Sequence, residues 1–234
     1  MIAVQSRGII VGRRGHTDSR DSLLTIRSEE AAMNFGESTT KDNLMRAFAG
    51  ESQARNRYTF AASTAKKNGL YVINAIFAFT ADQEKEHAEI FYQHLKELAG
   101  ENIFIDGGYP VDISDSVEEL LKKAQHNEYE EHDDVYKSFA DKAEEEGFAK
   151  VAASFRMIAE IEKIHGDRFG RFAKLMEEGK LFVSDVETEW MCLNCGYVYK
   201  GTKAPVKCPV CSHDQGYFIR FELVPFEDGS KYQA

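Results

Sequence analysis

Between about residues 40 and 178 apolar positions recur every three or four residues in four long segments, each closed by glycine or by an irregular stretch. The first segment carries Leu44, Ala47, Phe48, Tyr58, Ala62 and Ala65 and stops at Gly69; the second carries Ile73, Ile76, Phe77, Thr80, Phe91 and Leu98 and stops at Gly100. So short a connection predicts antiparallel neighbours. Residues 101–113, with Gly107, Gly108 and Pro110, are too long for a tight hairpin and predict a crossover. The third segment opens at Ser116 with Glu119 three residues on, a capping-box pattern, and runs through Leu120, Ala124, Val135 and Phe139 to Gly147. The fourth carries Val151, Phe155, Ile158, Phe169, Phe172 and Met176 and ends near Gly179. From about residue 180 the helical period is lost among tyrosine, valine, glycine, Pro205 and Pro209. A piece this small builds little core of its own, so a metal staple is expected in it.

Two helical hairpins joined by a long crossover predict a mainly α fold, a four-helix bundle of the ferritin-like kind over residues 33–179, with a small separate domain over residues 180–234. Residues 1–32 read as an extension with five arginines, no lysine and no sustained pattern. Their arginine and serine content suits a transit peptide, but Asp18, Asp21, Glu29 and Glu30 do not. The expectation is that translation starts at Met33, Glu29 and Glu30 falling where a purine-rich ribosome-binding sequence would be encoded.

The chain has 234 residues and a formal net charge of −10. Its acidic balance argues against nucleic acid as a partner, and no apolar run approaches the roughly 18 residues a membrane span needs. A cytoplasmic protein is expected. All four cysteines fall between Cys192 and Cys211, a local site and not a disulfide framework.

The apolar stripes of the bundle are interrupted by charged residues in phase with them. Glu51 lies seven residues after Leu44 and seven before Tyr58. Glu84 and His87 fall on the Phe77–Phe91 face, Glu162 and His165 repeat the Glu-x-x-His spacing on the fourth segment, and Glu128 and Glu131 lie between Ala124 and Val135. Glu130, His132, Asp133 and Asp134 in the same charge run are expected to be exposed. One unpaired buried carboxylate costs several kcal/mol, so five acids facing inward require positive charge among them. Carboxylates with imidazoles suit iron or manganese; seven ligands exceed one tetrahedral zinc and fit two metal ions sharing bridging carboxylates. Gly50, Gly166 and Gly170 sit inside the predicted helices, either for close packing or simply tolerated.

Cys192-x-x-Cys195 and Cys208-x-x-Cys211 are two turns that close a tetrahedral four-sulfur site. The spacing alone leaves the metal open, zinc for an inert ribbon or iron for a one-electron carrier, and structural zinc is the commoner use.

The string AFAGESQARNRY at residues 47–58, the two Glu-x-x-His pairs, and CLNCGYVYKGTKAPVKCPVC at 192–211 followed by HDQGYF together resemble the rubrerythrin family. The resemblance covers residue 34 to the C-terminus. It departs at Ser212, where the family usually has glycine, and a slightly altered turn is expected there. It implies a rubredoxin-like β domain at the C-terminus and three irons per chain, one dinuclear site and one Fe(Cys)4 centre, reversing the preference for zinc. By position Glu84 and Glu162 would bridge, Glu51 would end one iron, and Glu128 with His165 the other. Glu131 and His87 would exchange on the first iron with oxidation state. Tyr58 and Tyr136 would hydrogen-bond the carboxylates, the alternative being ordinary packing.

The implied activity is that of a non-haem di-iron peroxidase reducing hydrogen peroxide to water. Electrons would pass through Fe(Cys)4 from an external reductase or rubredoxin, ultimately NAD(P)H, since no Gly-x-Gly-x-x-Gly motif occurs here. A homodimer or larger homo-oligomer is expected, with the cysteine domain beside another subunit's bundle. The alternative is a ferroxidase of iron storage, against which the appended cysteine domain argues. An interaction protein with a zinc ribbon leaves the inward acids unexplained, and no pocket for an organic substrate marks a hydroxylase.

Overall fold

The computed structural model describes residues 33–225, so the reading of residues 1–32 lies outside it. Helix α1 (Thr39–Lys67) begins at Ser38, whose hydroxyl accepts from the Lys41 amide at 3.1 Å. Gly69, at φ +72°, turns the chain into α2 (Tyr71–His94). Regular α geometry ends there, before the expected Gly100; a single tighter turn, Lys96–Leu98, fills the interval. After the crossover, α3 (Val117–Glu130) starts with half of the expected capping box. Ser116 Oγ accepts from the Glu119 amide, but the Glu119 carboxylate takes the Ser114 hydroxyl instead of reaching back to residue 116. Helix α4 (Tyr136–Glu145) continues the third segment, and α5 (Ala149–Glu177) is the fourth.

Between α3 and α4, residues Glu131–Val135 form one turn of π-helix. A wider turn absorbs one extra residue, and it moves the buried stripe. Val135 and Phe139, expected on the core face, are only partly buried; Tyr136, Ala140 and Ala143 take that face. Eight residues of α-helix would rotate Tyr136 about 80° away from Glu128. The π turn brings the two back into phase.

The bundle core is divided along its length. Leu44, Phe91, Tyr136 and Phe155 form one apolar cluster, and Tyr58, Phe77, Leu121 and Phe169 the other. On each of α1, α2 and α5, and on the combined α3–α4, the inward acids fall between the residues of these two clusters. A polar layer is thus closed above and below by apolar ones.

Glu146 ties the second hairpin to the first. Its carboxylate accepts from the Thr39 and Thr40 amides at 3.2 and 2.8 Å and from Thr40 Oγ1 at 2.7 Å, at the positive end of α1. Burial raises this carboxyl, but the hydrogen bonds from Thr40 and Thr39 outweigh it and leave the pKa below the ordinary glutamate value. Glu146→Gln is expected to cost about 1–2 kcal/mol at pH 7. A depressed pKa contributes stability above the unfolded value and loses it as pH falls through the folded one. Denaturant midpoints of wild type and variant should therefore converge below about pH 4.

The C-terminal part is a three-stranded antiparallel sheet in the order β2-β1-β3, built from β1 (Val183–Cys192), β2 (Val198–Lys203) and β3 (Phe218–Arg220). Its core is Trp190, Cys192, Ala204, Cys208 and Phe218. Ile219 and Leu181 join the bundle's apolar cluster, and Tyr217 stacks on Tyr71 at 4.0 Å between centroids. Gly216 lies against the Gly69 carbonyl so closely that a Cβ has no room.

Candidate metal centres

The four helices bring Glu51, Glu84, His87, Glu128, Glu162 and His165 together, all of them buried. His87 Nδ1 lies 2.9 Å from Glu162 Oε1, 3.2 Å from Glu84 Oε2 and 3.7 Å from Glu51 Oε2. His165 Nδ1 lies 2.9 Å from Glu162 Oε2, 3.0 Å from Glu84 Oε1 and 3.7 Å from Glu128 Oε2. Glu84 and Glu162 therefore each turn one oxygen to either ring, while Glu51 and Glu128 each serve one side. The rings are nearly parallel, with centroids 5.5 Å apart.

Close as they are, these atoms do not hydrogen-bond one another. Both Nδ1 atoms, Glu51 Oε2, Glu128 Oε2 and all four oxygens of Glu84 and Glu162 are buried without a hydrogen-bond partner. The outer oxygens are satisfied: Tyr136 donates to Glu51 Oε1 and Tyr58 to Glu128 Oε1, as expected of the two tyrosines. These atoms converge on two points, and leaving them so costs several kcal/mol; His165 Nε2 and Arg220 Nε, also buried without a hydrogen-bond partner, are not among them. Two cations remove that cost. The donor set of hard oxygen with imidazole fits two iron ions.

The electrostatics of the cluster's own side chains point the same way. Burial pushes Glu51 up to about 8, with Glu84 adding to it, and raises Glu128 and Glu162. Burial also disfavours an ionised Glu84, yet His165 and His87 outweigh it and bring that carboxyl down to about 2. The carboxylates in turn overcome the burial of the rings, taking His87 up to about 10 and His165 to about 11. The acids thus draw positive charge toward their centre.

Glu131 is the one expected ligand that joins neither donor set. It sits on the π turn, half-buried, and burial among Glu51, Glu128 and Glu84 holds its carboxyl well above the usual range. Its neighbours Glu130, Asp133 and Asp134 are exposed as expected, and His132 is half-buried.

One of the three helix glycines has a clear packing reason. A Cβ at Gly166 would come within 2.7 Å of Tyr129 Cε1 and 3.4 Å of Glu128 Cβ, so glycine lets α3 approach α5 beside Glu128. At Gly170 a Cβ would meet only the amide end of Gln125, which can swing aside. Sequence periodicity missed another contact of the site. Arg57 donates to Asp112 Oδ2 at 2.8 Å and Asn127 donates to the same oxygen at 2.6 Å, pinning the crossover to α1 and α3 next to Tyr58 and Glu128.

The four cysteines form the second centre. Cys192 Sγ and Cys211 Sγ are 3.7 Å apart, and Cys195 Sγ and Cys208 Sγ 3.6 Å. These separations are far too long for disulfides and match the edges of a tetrahedron around a metal about 2.3 Å from each sulfur. Amides of Asn194 and Cys195 point at Cys192 and that of Tyr197 at Cys195; the His213 amide draws Cys211 down to about 6.

The turn at Ser212 is kept, not altered. Ser212 has φ +62° and its amide donates to Cys208 O at 2.9 Å, as Gly196, at φ +76°, donates to Cys192 O at 2.8 Å. Serine holds the left-handed conformation at a cost of about 1–2 kcal/mol, part of which glycine would return through the entropy of its unfolded chain. Ser212→Gly is expected to stabilise this domain by about 0.5–1 kcal/mol, read in denaturant by Trp190 fluorescence.

Comparison with known sequences matches residues 42–173 to the family Rubrerythrin and residues 190–219 to the family Rubrerythrin, rubredoxin-like domain. The chain is similar to the rubrerythrin of Clostridium perfringens (strain 13 / Type A), 50% identical over 184 residues covering 78% of this chain and 94% of that protein. It is 43% identical over 181 residues to the rubrerythrin of Nitratidesulfovibrio vulgaris, covering 77% and 93%. Among solved structures it is similar to nigerythrin in its fully reduced, all-ferrous state, with a TM-score of 0.53, 26% identity, and coverage of 88% of this chain and all of that one.

Proposed function

This chain belongs to the rubrerythrin family, and from that premise we propose that it is a non-haem di-iron peroxidase that reduces hydrogen peroxide to water with electrons from an NAD(P)H-linked reductase. The family's complement of a dinuclear site and an Fe(Cys)4 centre matches the chain's donor groups, and a role in oxidative stress goes with it. The observation that carries the reading is the sharing of Glu84 and Glu162 between two donor sets. Bound there, two ferrous ions would supply the two electrons that cleavage of the O–O bond needs, and iron held by the four cysteines would supply one-electron transfer to restore them.

The chain's own residues do the rest. Glu84 and Glu162 would hold both positions at once, with Glu51 and Glu128 at the two ends. His165 would stay with its position, while His87 and Glu131 would alternate at the other, the acid opposite the more oxidised state. Burial and the neighbouring acids keep the Tyr58 and Tyr136 hydroxyls protonated, so both remain donors that orient Glu128 and Glu51. Burial and the neighbouring acids raise the Glu131 carboxyl, so when it is not a ligand it would be the group placed to hand a proton to a departing oxygen.

The cysteine domain meets its own bundle at Tyr71, and Glu84 is thirteen residues further along α2, about 20 Å at the helical rise. That length favours delivery to a second subunit, in a homodimer or larger assembly. A cytoplasmic setting, with a reductase or rubredoxin as donor and neither nucleic acid nor membrane as partner, completes the reading. Among the described residues no helix is long and apolar enough to cross a membrane.

Metal analysis with peroxide addition tests the proposal. Iron at all three positions and rapid reoxidation of the reduced protein by hydrogen peroxide support it; one zinc and no iron overturn it.

A further inference from the structure

Gly50 meets no close neighbour that would require glycine. A Cβ there would meet only Tyr109 Cε1, at an ordinary 3.7 Å, so alanine fits, yet the chain keeps the residue with the poorer helix propensity next to Glu51. What Gly50 borders is space. A cavity of about 250 Å³ lies between α1, the π turn and the crossover, and Gly50, Gln53, Tyr109, Glu131, Val135 and Phe139 line it.

The crossover forms the outer wall of this cavity and is fastened on both sides. Arg46 Nε donates to Asp106 O at 2.9 Å and its guanidinium pairs with Asp106 Oδ1 at 2.8 Å, while the Tyr109 hydroxyl donates to Arg46 O at 3.0 Å. Beyond Tyr109, Asp112 is held by Arg57 and Asn127. Gly107 gives the Tyr109 ring its place, since a Cβ there would stand 3.1 Å from it. The inner wall is Glu131 with the ring of Tyr136, whose hydroxyl bonds Glu51. The cavity therefore runs from the exposed side of Tyr109 to residues in contact with the buried donor cluster, which apolar layers close above and below.

We propose that this cavity is the entry chamber for the peroxide, bordered by Gly50 and roofed by Tyr109. The proposal rests on the peroxidase reading for the identity of its occupant. Its lining suits a small neutral hydroperoxide, with the Gln53 amide and the Glu131 carboxyl offering hydrogen bonds and Val135 and Phe139 an apolar side.

The test separates route from reaction. In metal-free protein, the rate at which a water-soluble carbodiimide with glycine ethyl ester labels Glu131 is followed by mass spectrometry, with exposed Asp133 and Asp134 as internal references. Gly50→Leu, which fills the chamber, should slow labelling of Glu131 at least tenfold. Gly50→Ala should leave it within about twofold, and Tyr109→Ala, which removes the roof, should speed it. In iron-loaded protein of unchanged metal content, the rate of reoxidation by hydrogen peroxide should move in the same order. Labelling of Glu131 that is indifferent to both Gly50→Leu and Tyr109→Ala overturns the chamber. Labelling that responds while wild type fails to react with peroxide supports the route and overturns the peroxidase reading alone.

Discussion

Glu162→Gln is expected to strip the dinuclear iron from the protein and, in the same stroke, to make the metal-free protein more stable. The two effects have one cause. Glu162 turns an oxygen to each donor set, so its loss removes a ligand from both positions, and iron per chain should fall to the Fe(Cys)4 ion alone. Without metal the same carboxyl is a buried acid held up by burial and by the charges of Glu84 and Glu51. An isosteric amide removes that repulsion and can donate to Glu84, for a gain on the order of 2 kcal/mol.

The pH dependence follows the same logic. Groups whose folded pKa is raised contribute stability below the unfolded value and lose it as pH rises through the folded one. Glu51, raised to about 8, and His87 and His165, raised to about 10 and 11, all belong to this class. Metal-free wild type should therefore lose stability from about pH 5 to pH 8. Iron binding needs deprotonated ligands and should strengthen over the same interval. Denaturant unfolding of metal-free wild type and Glu162→Gln at pH 5.5 and 8, with iron analysis of both, checks the prediction; a variant less stable than wild type at pH 8 refutes it.

Cys208→Ser should have the complementary outcome. Cys208 is buried in the small core with Trp190 and Phe218, and that core has little else to hold it together. The Fe(Cys)4 colour should vanish and the domain lose its fixed structure. Trp190 is the only tryptophan of the chain and fully buried, so its emission should shift to the red while helicity stays close to wild type. Reduced protein should still react once with peroxide at the normal rate, whereas steady turnover with a reductase should fall roughly 100-fold or more. Unchanged steady turnover would show that electrons reach the bundle without this centre.

Most of the bundle is legible in the sequence because burial of a carboxylate leaves a mark: Glu51, Glu84, Glu128 and Glu162 are in phase with apolar neighbours where a charge does not belong. The cysteine pairs are legible because two short turns suffice to build their site. The π turn is not, since a single added residue carries no periodicity of its own. Its one trace is that Tyr58 follows Glu51 by seven residues but Tyr136 follows Glu128 by eight. The tie of Asp112 to Arg57 and Asn127 is hidden for another reason, joining residues whose separation in the chain follows no local rule. At Ser212, residue type predicts a changed turn, but the Ser212 amide donates to the Cys208 carbonyl as the Gly196 amide does to that of Cys192, and the backbone keeps the same left-handed conformation.

The added residue in the π turn has a wider meaning. Leu44, Ala47 and Glu51 have the spacing of Leu121, Ala124 and Glu128. Eleven residues separate Tyr58 from Gly69 and Tyr136 from Gly147, and fifteen separate these glycines from Glu84 and Glu162. Phe77 and Phe91 flank Glu84 as Phe155 and Phe169 flank Glu162. The two hairpins are thus copies of one spacing, the second longer by a single residue between its acid and its tyrosine. Where that second copy presents Glu131 to the cavity, the first has Ala54, packed in the core. Two hairpins of matching spacing give the molecule two matching donor sets, and the one added residue sets a cavity beside only one of them.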